Sequence, residues 1–183
     1  LFDENGKIIS SLLNKMPKGN KRMSAKFFEI KKELVVPDFT KYAFEFLERG
    51  NVKTSDMYQL GNYIRELVKN NPNFMIFGPD EALSNRFNKV FEVERRTWNY
   101  KTLKNDEFLS VDGRVMDAYL SEHLCQGMLE GYLLTGRHGF IHSYEAFVRI
   151  VDSMASQHAK WLKVCNQIPW RAPIASLNYM LVS

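Results

Sequence analysis

The sequence predicts an α/β domain with a mainly parallel sheet and helices on both of its faces. Four short, strand-like apolar runs alternate with segments in which apolar residues recur every three or four positions. Short continuous apolar runs are typical of strands buried on both faces, and intervening helices connect parallel neighbours. The chain has 183 residues, 45% of them hydrophobic, which is enough to form the core of one domain.

Residues 1–36 are predicted to be a linker or arm, and residues 37–183 to be the α/β domain. The arm is polar and rich in lysine, with one short helix expected around Ile8–Lys15, and Pro37 marks its end. The sequence opens without Met and stops on a strand-like run, so we expect it to be a piece of a longer protein.

Two helices and one strand are predicted to open the domain. The helices are Tyr42–Glu48 and Ser55–Asn70, and the second has a serine in position to cap its first turn. The strand is Asn73–Phe77, an apolar run between a proline and a glycine. A loop then leads into another helix near Ser84, and Val93–Asp106 is predicted to be irregular.

The second half of the chain continues the alternation of strand and helix. A strand is predicted at Arg114–Leu120, followed by a helix at Ser121–Leu134 that begins with a serine cap. A third strand at Phe140–Ser143 leads directly into a long helix at Tyr144–Trp161. The fourth strand-like run is Ile174–Val182.

Polar side chains follow three of the predicted strands at the point where each strand ends. They are Asp80 and Glu81 after the first strand, Glu122 after the second, and His142, Ser143 and Tyr144 at the end of the third. Open α/β sheets bind ligands at the carboxyl ends of their parallel strands. We therefore expect these groups to converge on one ligand site.

Glu122 has an unusual place on its predicted helix. At about 100° per residue it falls between Leu129 and Leu133, on an apolar row. A carboxylate buried there tends to have a raised pKa or a partner that shares its proton. A first-turn glutamate that faces water and is favoured by the helix dipole fits the pattern equally well.

Composition and missing motifs argue against several function classes. The formal net charge is +4, from 25 Lys and Arg against 21 Asp and Glu, and the charges are scattered, which argues against a nucleic-acid surface. Apolar runs of membrane-spanning length, nucleotide-binding glycine motifs and zinc-ligand spacings are absent from the sequence. Cys125 and Cys165 are expected to be free, buried thiols in a reducing compartment. We expect a cytoplasmic protein without a metal site of its own.

Several sequence blocks together resemble the phosphoketolases, the thiamine-diphosphate enzymes that act on xylulose 5-phosphate and fructose 6-phosphate. The blocks are GNKRMSA at 19–25, PDF at 37–39, FGPDEALSNRF at 77–87, DGRVMDAYLSEHLCQGMLEGYLLTGRHGFIHSYEAFVRIVDSM at 112–154, QHAKWLK at 157–163 and IPWRAPIASLNYMLVS at 168–183. They follow the family's order and approximate spacing over most of the chain. One departure is the glycine-rich stretch that the family usually carries after RMSA, which is absent here.

The resemblance implies a central domain that binds the aminopyrimidine ring of thiamine diphosphate, while a separate domain holds the diphosphate and Mg²⁺. Glu122 would bond a ring nitrogen and favour the tautomer that generates the reactive ylid. Glu81 would be a second active-site acid that moves protons. Tyr144 and Phe147 would line the pyrimidine pocket, with Asp80 at its rim.

The resemblance also implies a reaction and partners. The whole enzyme would cleave a ketose phosphate with inorganic phosphate, giving acetyl phosphate and an aldose phosphate, and would be a homodimer or higher oligomer. The piece alone would be inactive. Two alternatives stay open, namely a transketolase-like transfer of carbon to an acceptor sugar and a non-catalytic α/β association domain.

Overall fold

A five-stranded, wholly parallel sheet forms the centre of the computed structural model, which describes residues 1–14, 33–98, 100–117, 119–169, 171 and 173–183. The strands are β1 (Phe74–Gly78), β2 (Arg96–Thr97), β3 (Val115–Asp117), β4 (His138–Tyr144) and β5 (Asn178–Val182). Their order across the sheet is β2-β3-β1-β4-β5, and each neighbouring pair is parallel. The predicted α/β class with a parallel sheet is confirmed.

The helices in the described residues are α1 (Ser10–Leu13), α2 (Asp56–Asn70), α3 (Glu122–Leu133) and α4 (Val148–Cys165), with 3₁₀ turns at Phe39–Tyr42, Phe87–Glu92 and Glu145–Phe147. Both predicted serine caps are confirmed, because Ser55 Oγ accepts a hydrogen bond from Met57 N and Ser121 Oγ accepts one from Leu124 N. Within the described ranges, no helix is long and apolar enough to cross a membrane.

The arm predicted at 1–36 is described only in part. The helix expected around Ile8–Lys15 is present as the single turn α1. Residues 15–32, which include the GNKRMSA block at 19–25, lie outside the described residues.

The two faces of the sheet carry separate apolar clusters, because side chains alternate along each strand. On one face α2 packs against β1, with Ile64 and Ile76 in the same buried cluster. On the other face α3 packs against β1 and β4, with Leu129 and Phe77 in a second cluster. Helices thus cover both faces, as predicted, and leave the ends of the strands for a site.

The helix predicted at Tyr42–Glu48 is wrong. A 3₁₀ turn at Phe39–Tyr42 ends at Ala43, whose φ of −68° and ψ of 146° are extended rather than helical. Leu47 stays 95% exposed, so the segment buries no apolar face against the sheet. A helix here would gain little from packing, which is the main source of helix stability in proteins.

The helix predicted near Ser84 is also wrong. Residues 82–86 form turns, and Arg86 has a left-handed backbone with a φ of 66°, which interrupts any α-helix. The 3₁₀ turn at Phe87–Glu92 follows instead. Val93–Asp106, predicted to be irregular, contains the two-residue strand β2, which pairs with β3.

The remaining differences concern the ends of elements. β4 is longer than predicted, because Tyr144 pairs with Val182 of β5 and so stays extended. A 3₁₀ turn follows, and α4 starts at Val148 rather than at Tyr144. β3 is shorter than predicted and ends at Asp117, and β5 is also shorter and begins at Asn178.

Candidate functional site

The carboxyl ends of β3, β1 and β4 lie side by side, since these strands are neighbours in the sheet. The turn after β1 carries Asp80 and Glu81, α3 begins with Glu122 shortly after β3, and Ser143 lies near the end of β4. The structure therefore brings the predicted polar groups to one edge of the sheet. We call it the carboxyl edge, made of Asp80–Asn85, Asp117, Glu122 and His142–Phe147.

Glu122 is buried at the start of α3. It is 8% exposed, and its Oε1 accepts a hydrogen bond from Ser143 Oγ at 3.0 Å. Cys125 and Leu129, on the same side of the helix, are also buried. Glu122 therefore lies on the buried apolar row that the sequence pattern indicated, and its alternative interpretation as a solvated glutamate is wrong.

Glu81 combines a strained backbone neighbour with a strongly raised pKa. It follows Asp80, whose φ of 62° is left-handed. Its Oε2 is buried and has no hydrogen-bond partner among the described residues. Burial raises the pKa of Glu81 to about 7, with further contributions from the charges of Glu122, Asp117 and Asp80. A carboxyl group that titrates near neutral pH is suited to give and take a proton.

Asp117 ends β3 and is fully buried. Its Oδ1 accepts a hydrogen bond from Ala82 N at 3.2 Å, in the turn that carries Glu81. Its Oδ2 lies 3.2 Å from Arg96 Nη2, near enough for an ion pair but not aligned for a hydrogen bond. Burial raises the pKa of Asp117 to about 6, against the lowering effect of Arg96.

His142 is fully buried on β4, beside Gly78. Asn85 Nδ2 and His142 Nδ1 lie 2.9 Å apart, and an amide NH₂ group that donates to Nδ1 leaves the ring proton on Nε2. That nitrogen lies 4.0 Å from Asp117 Oδ1, too far for a hydrogen bond. Burial lowers the pKa of His142 to about 3, so the ring is neutral. Gly78 cannot carry a side chain here, because a β-carbon would collide with the imidazole ring.

The two predicted aromatic residues lie where β4 ends. Tyr144 is the last residue of the strand and is half-buried, and Phe147 closes the following 3₁₀ turn with 39% of its surface exposed. In the described part of the chain neither ring pairs with another aromatic ring. Asp80 is exposed at the rim. The structure places these residues at the carboxyl edge, and their roles stay predictions.

Buried polar atoms without a hydrogen-bond partner are concentrated at the carboxyl edge and on the neighbouring Arg96. Five buried side-chain atoms there have no hydrogen-bond partner among the described residues, namely Glu81 Oε2, Asn85 Oδ1, Arg96 Nε, Asp117 Oδ2 and His142 Nε2. Buried polar atoms in proteins are nearly always hydrogen-bonded. Such a group of exceptions is characteristic of a site that binds a polar ligand.

Three residues of the site escaped the sequence-based predictions. Asp117 lies inside an apolar run, and the signal that could have identified it is its spacing of two from Val115, which places both side chains on one face of the strand. Arg96 gave no signal, because its segment was predicted to be irregular. Asn85 was hidden in a segment predicted to be helical.

The family model and the curated relatives that match this chain are phosphoketolases. A family model described as D-xylulose 5-phosphate/D-fructose 6-phosphate phosphoketolase matches residues 58–183. Probable phosphoketolases from Clostridium acetobutylicum and Nitrosomonas europaea are 55% and 50% identical to this chain over its whole length. A solved transketolase from Campylobacter jejuni aligns over 65% of this chain and 16% of its own, with a TM-score of 0.43 and 19% identity.

The match with the curated relatives covers the whole of this chain but only part of each relative. Alignment covers 100% of this chain but 24% of each of the two probable phosphoketolases. The chain thus spans about a quarter of the length of these relatives. Because the family model matches more than half of the chain and the relatives are at least 50% identical, the chain belongs to the phosphoketolase family.

Proposed function

We propose that residues 37–183 are the pyrimidine-binding α/β domain of a phosphoketolase. The full-length protein would cleave xylulose 5-phosphate, fructose 6-phosphate or both with inorganic phosphate, giving acetyl phosphate and an aldose phosphate. The observation that carries the proposal is the buried Glu122, close enough to Glu81 to raise its pKa, in a chain of the phosphoketolase family.

The residues of the carboxyl edge fit the aminopyrimidine ring of thiamine diphosphate. Glu122 offers a buried carboxyl group to a ring nitrogen, and the unpartnered Oε2 of Glu81 can bond a polar group of the ligand. Tyr144 and Phe147 offer aromatic faces for the ring. When bound, thiamine diphosphate supplies a carbon nucleophile that protein side chains lack. The diphosphate and Mg²⁺ would be held by another part of the full-length protein.

Glu122 would present its carboxyl group to the ring nitrogen. Ser143 donates to Oε1 at 3.0 Å, which fixes the plane of the carboxyl group and leaves Oε2 for the ligand. Because the site is buried, few water molecules compete for that hydrogen bond, which strengthens it. Removal of the carboxyl group should therefore remove the function of the site even where the ring still fits.

Glu81 would act on the substrate side of the site. With a pKa of about 7 it is partly protonated at neutral pH, so it can give a proton to a hydroxyl group that departs as water. The position of Glu81 in a tight turn beside a left-handed residue keeps its carboxyl group at the edge of the sheet. Asp80, exposed at the rim, would contribute charge and no direct contact with the reacting atoms.

The assembly is part of the proposal. The full-length protein would be a cytoplasmic homodimer or higher homo-oligomer, and the chain described here would be inactive by itself. Coverage supports the dependence on the rest of the protein. The match spans 24% of each probable phosphoketolase, so 76% of each lies outside it. The phosphate-binding and metal-binding groups would come from that larger part.

The test is an assay of the full-length protein, wild type against Glu122→Gln, with xylulose 5-phosphate, inorganic phosphate, thiamine diphosphate and Mg²⁺. We expect the wild type to form acetyl phosphate and the variant to lose several orders of magnitude in turnover while folding and oligomerising normally. Glu130→Gln is the matched control, because Glu130 lies on the same helix but contacts Gln126 and His158. It should keep turnover within about tenfold of the wild type, as no group at the reacting atoms is lost.

The other outcomes discriminate between functions. Product that appears only when an aldose acceptor is added would favour a transketolase-like carbon transfer. Full turnover in Glu122→Gln would contradict the catalytic assignment and favour a non-catalytic association domain. Acetyl phosphate formed by the isolated chain would contradict the proposed dependence on the rest of the protein.

A further inference from the structure

We infer that Asp117 is a positioning residue, which holds the turn that carries Glu81 against the carboxyl edge of the sheet. The inference rests on the proposed function only in so far as Glu81 acts on the substrate. Its first part, the anchoring of the turn, concerns residues of this chain alone. Asp117 is not among the residues that the sequence pattern or the family resemblance assigned to the site.

The anchoring contact joins two strand ends. Ala82 N donates to Asp117 Oδ1 at 3.2 Å, so the end of β3 holds the residue directly after Glu81. Both Ala82 and Asp117 are fully buried. A buried hydrogen bond of this kind is worth more than an exposed one, because its loss leaves a backbone donor without water.

The turn needs an anchor because its backbone is strained. Asp80 and Arg86 flank the segment with φ values of 62° and 66°, which residues other than glycine rarely adopt. Such conformations persist only where the surrounding structure holds them. Within the turn, Asn85 N donates to Glu81 O at 2.8 Å, and Asp117 ties this unit to β3, while Asn85 Nδ2 lies 2.9 Å from His142 Nδ1 of β4.

Asp117 is itself held from the neighbouring strand. Arg96 on β2 lies 3.2 Å from Oδ2, and its guanidinium group lies 5.1 Å from the ring centre of Phe91. The Arg96 side chain is only 13% exposed, so the ion pair is largely removed from water. The chain of contacts therefore runs from β2 through Asp117 to the turn after β1.

The charges around Asp117 decide what its carboxylate does to the site. Arg96 faces it from β2 and the neutral His142 from β4, while Asp80 and Glu81 face it from the turn, and Glu122 of α3 acts together with Asp117 on Glu81. After burial and the charge of Glu122, the charge of Asp117 is the next contributor to the raised pKa of Glu81. Asp117 thus both places the Glu81 carboxyl group and helps to keep it protonated.

The experiment separates these two effects in the full-length protein without cofactor and then with it. Asp117→Ala removes both the acceptor and the charge, whereas Asp117→Asn keeps an oxygen for Ala82 N and removes the charge. The matched control is Glu94→Gln, which breaks the ion pair with Arg114 at the opposite end of β3. Hydrogen exchange of the peptide that covers 80–86 reports the anchoring, and the pH profile of turnover reports the charge.

In Asp117→Ala we expect exchange at 80–86 to be about two- to tenfold faster than in the wild type, as loss of one hydrogen bond predicts. In Asp117→Asn, exchange should stay within about twofold, and the limb of the pH profile that reports Glu81 should move to lower pH because a neighbouring negative charge is gone. Glu94→Gln should change neither measurement.

Two results would overturn the inference. One is exchange at 80–86 in Asp117→Ala that is no faster than in Glu94→Gln, since the turn would then be held without Asp117. The other is a pH profile of Asp117→Asn that superimposes on the wild type. Failure of the proposed function is distinguishable, because an inactive wild type would leave the exchange experiment in place and would remove only the pH profile.

Discussion

The residues at the two ends of β3 carry opposite charges, and they differ in how completely their hydrogen bonds are formed. At the amino end, the Arg114 guanidinium group donates to the carbonyl oxygens of Val68, Asn71 and Phe74 and pairs with Glu94. At the carboxyl end, Asp117 accepts one hydrogen bond and faces Arg96 at a poorly aligned angle. The guanidinium group at the amino end is therefore fully paired. At the carboxyl end, several buried polar atoms have no hydrogen-bond partner among the described residues.

The difference indicates that the amino end of β3 serves stability and that its carboxyl end serves the proposed function. Val68 is near the carboxyl end of α2, where the helix dipole favours a cation, so Arg114 joins helix, strand and loop in a single satisfied group. Buried polar atoms without partners at the carboxyl edge lower the stability of the fold, because each loses its hydrogen bonds to water on folding and gains none in the protein. Proteins keep such atoms where a ligand completes their hydrogen bonds, which is what the proposed function requires.

The largest effect is expected from Arg114→Met in the full-length protein. The substitution removes the Arg114 donors to three carbonyl oxygens, two of which keep a backbone donor, and leaves Glu94 without its cation, so the free energy of unfolding should fall by about 3–5 kcal/mol. Urea unfolding measures this loss. Arg95→Met is the control, because Arg95 is exposed and, among the described residues, its guanidinium donates only to the carbonyls of Phe91 and Glu94. A loss below that of the control would contradict the structural assignment of the amino end.

The packing between β1 and β4 gives the next largest effect. Gly78→Ala places a methyl group into the His142 imidazole ring and should cost about 1–3 kcal/mol of unfolding free energy. In a His142→Ala background the same methyl group enters vacated space, so the two losses should not add. Additive losses would contradict the predicted contact. Gly127→Ala is the control, since no described atom lies within 4 Å of its added carbon and a helical alanine is favoured.

The sequence-based predictions succeeded where burial follows from local pattern. β1 was identified because an apolar run stands between a proline and a glycine, and the burial of Glu122 followed from its place between Leu129 and Leu133. β2 could not be identified in this way, because two residues carry no periodicity and their strand geometry depends on pairing with β3. The Arg96–Asp117 pair depends on that pairing, so this part of the site becomes visible only in three dimensions.

The wrong prediction of a helix near Ser84 has a related cause. The left-handed backbone of Arg86 interrupts the helix predicted near Ser84, and a β-carbon on Gly61 of α2 would collide with the Arg86 carbonyl oxygen. The turn after β1 is therefore in close contact with a helix that is distant in the sequence. Local propensity cannot report such a contact, and it is this turn that positions Glu81.

A pH-dependent effect on stability is expected from Glu81→Gln. The folded protein holds the Glu81 proton up to a pH of about 7, whereas the unfolded chain releases it near 4.5, so unfolding free energy falls as pH rises between these values. Glutamine carries no charge and avoids this loss. The free energy of unfolding of the variant should exceed that of the wild type by about 1–2 kcal/mol at pH 8 and equal it near pH 4. This value is reduced because Glu81 is partly exposed to solvent. Equal stability at pH 8 would contradict the raised pKa.

The smallest effect is expected from loss of the hydrogen bond between Ser143 and Glu122, which the carboxyl edge forms without a ligand. Ser143→Ala removes the donor to Glu122 Oε1 and should lower unfolding free energy by about 0.5–1.5 kcal/mol, the usual net worth of one hydrogen bond. Ser143→Thr keeps the hydroxyl group and should retain most of it. Because the hydrogen bond orients Glu122, turnover should fall more in the alanine variant than in the threonine variant. Turnover that falls equally in both would show that packing around Ser143, and not its hydrogen bond, orients Glu122.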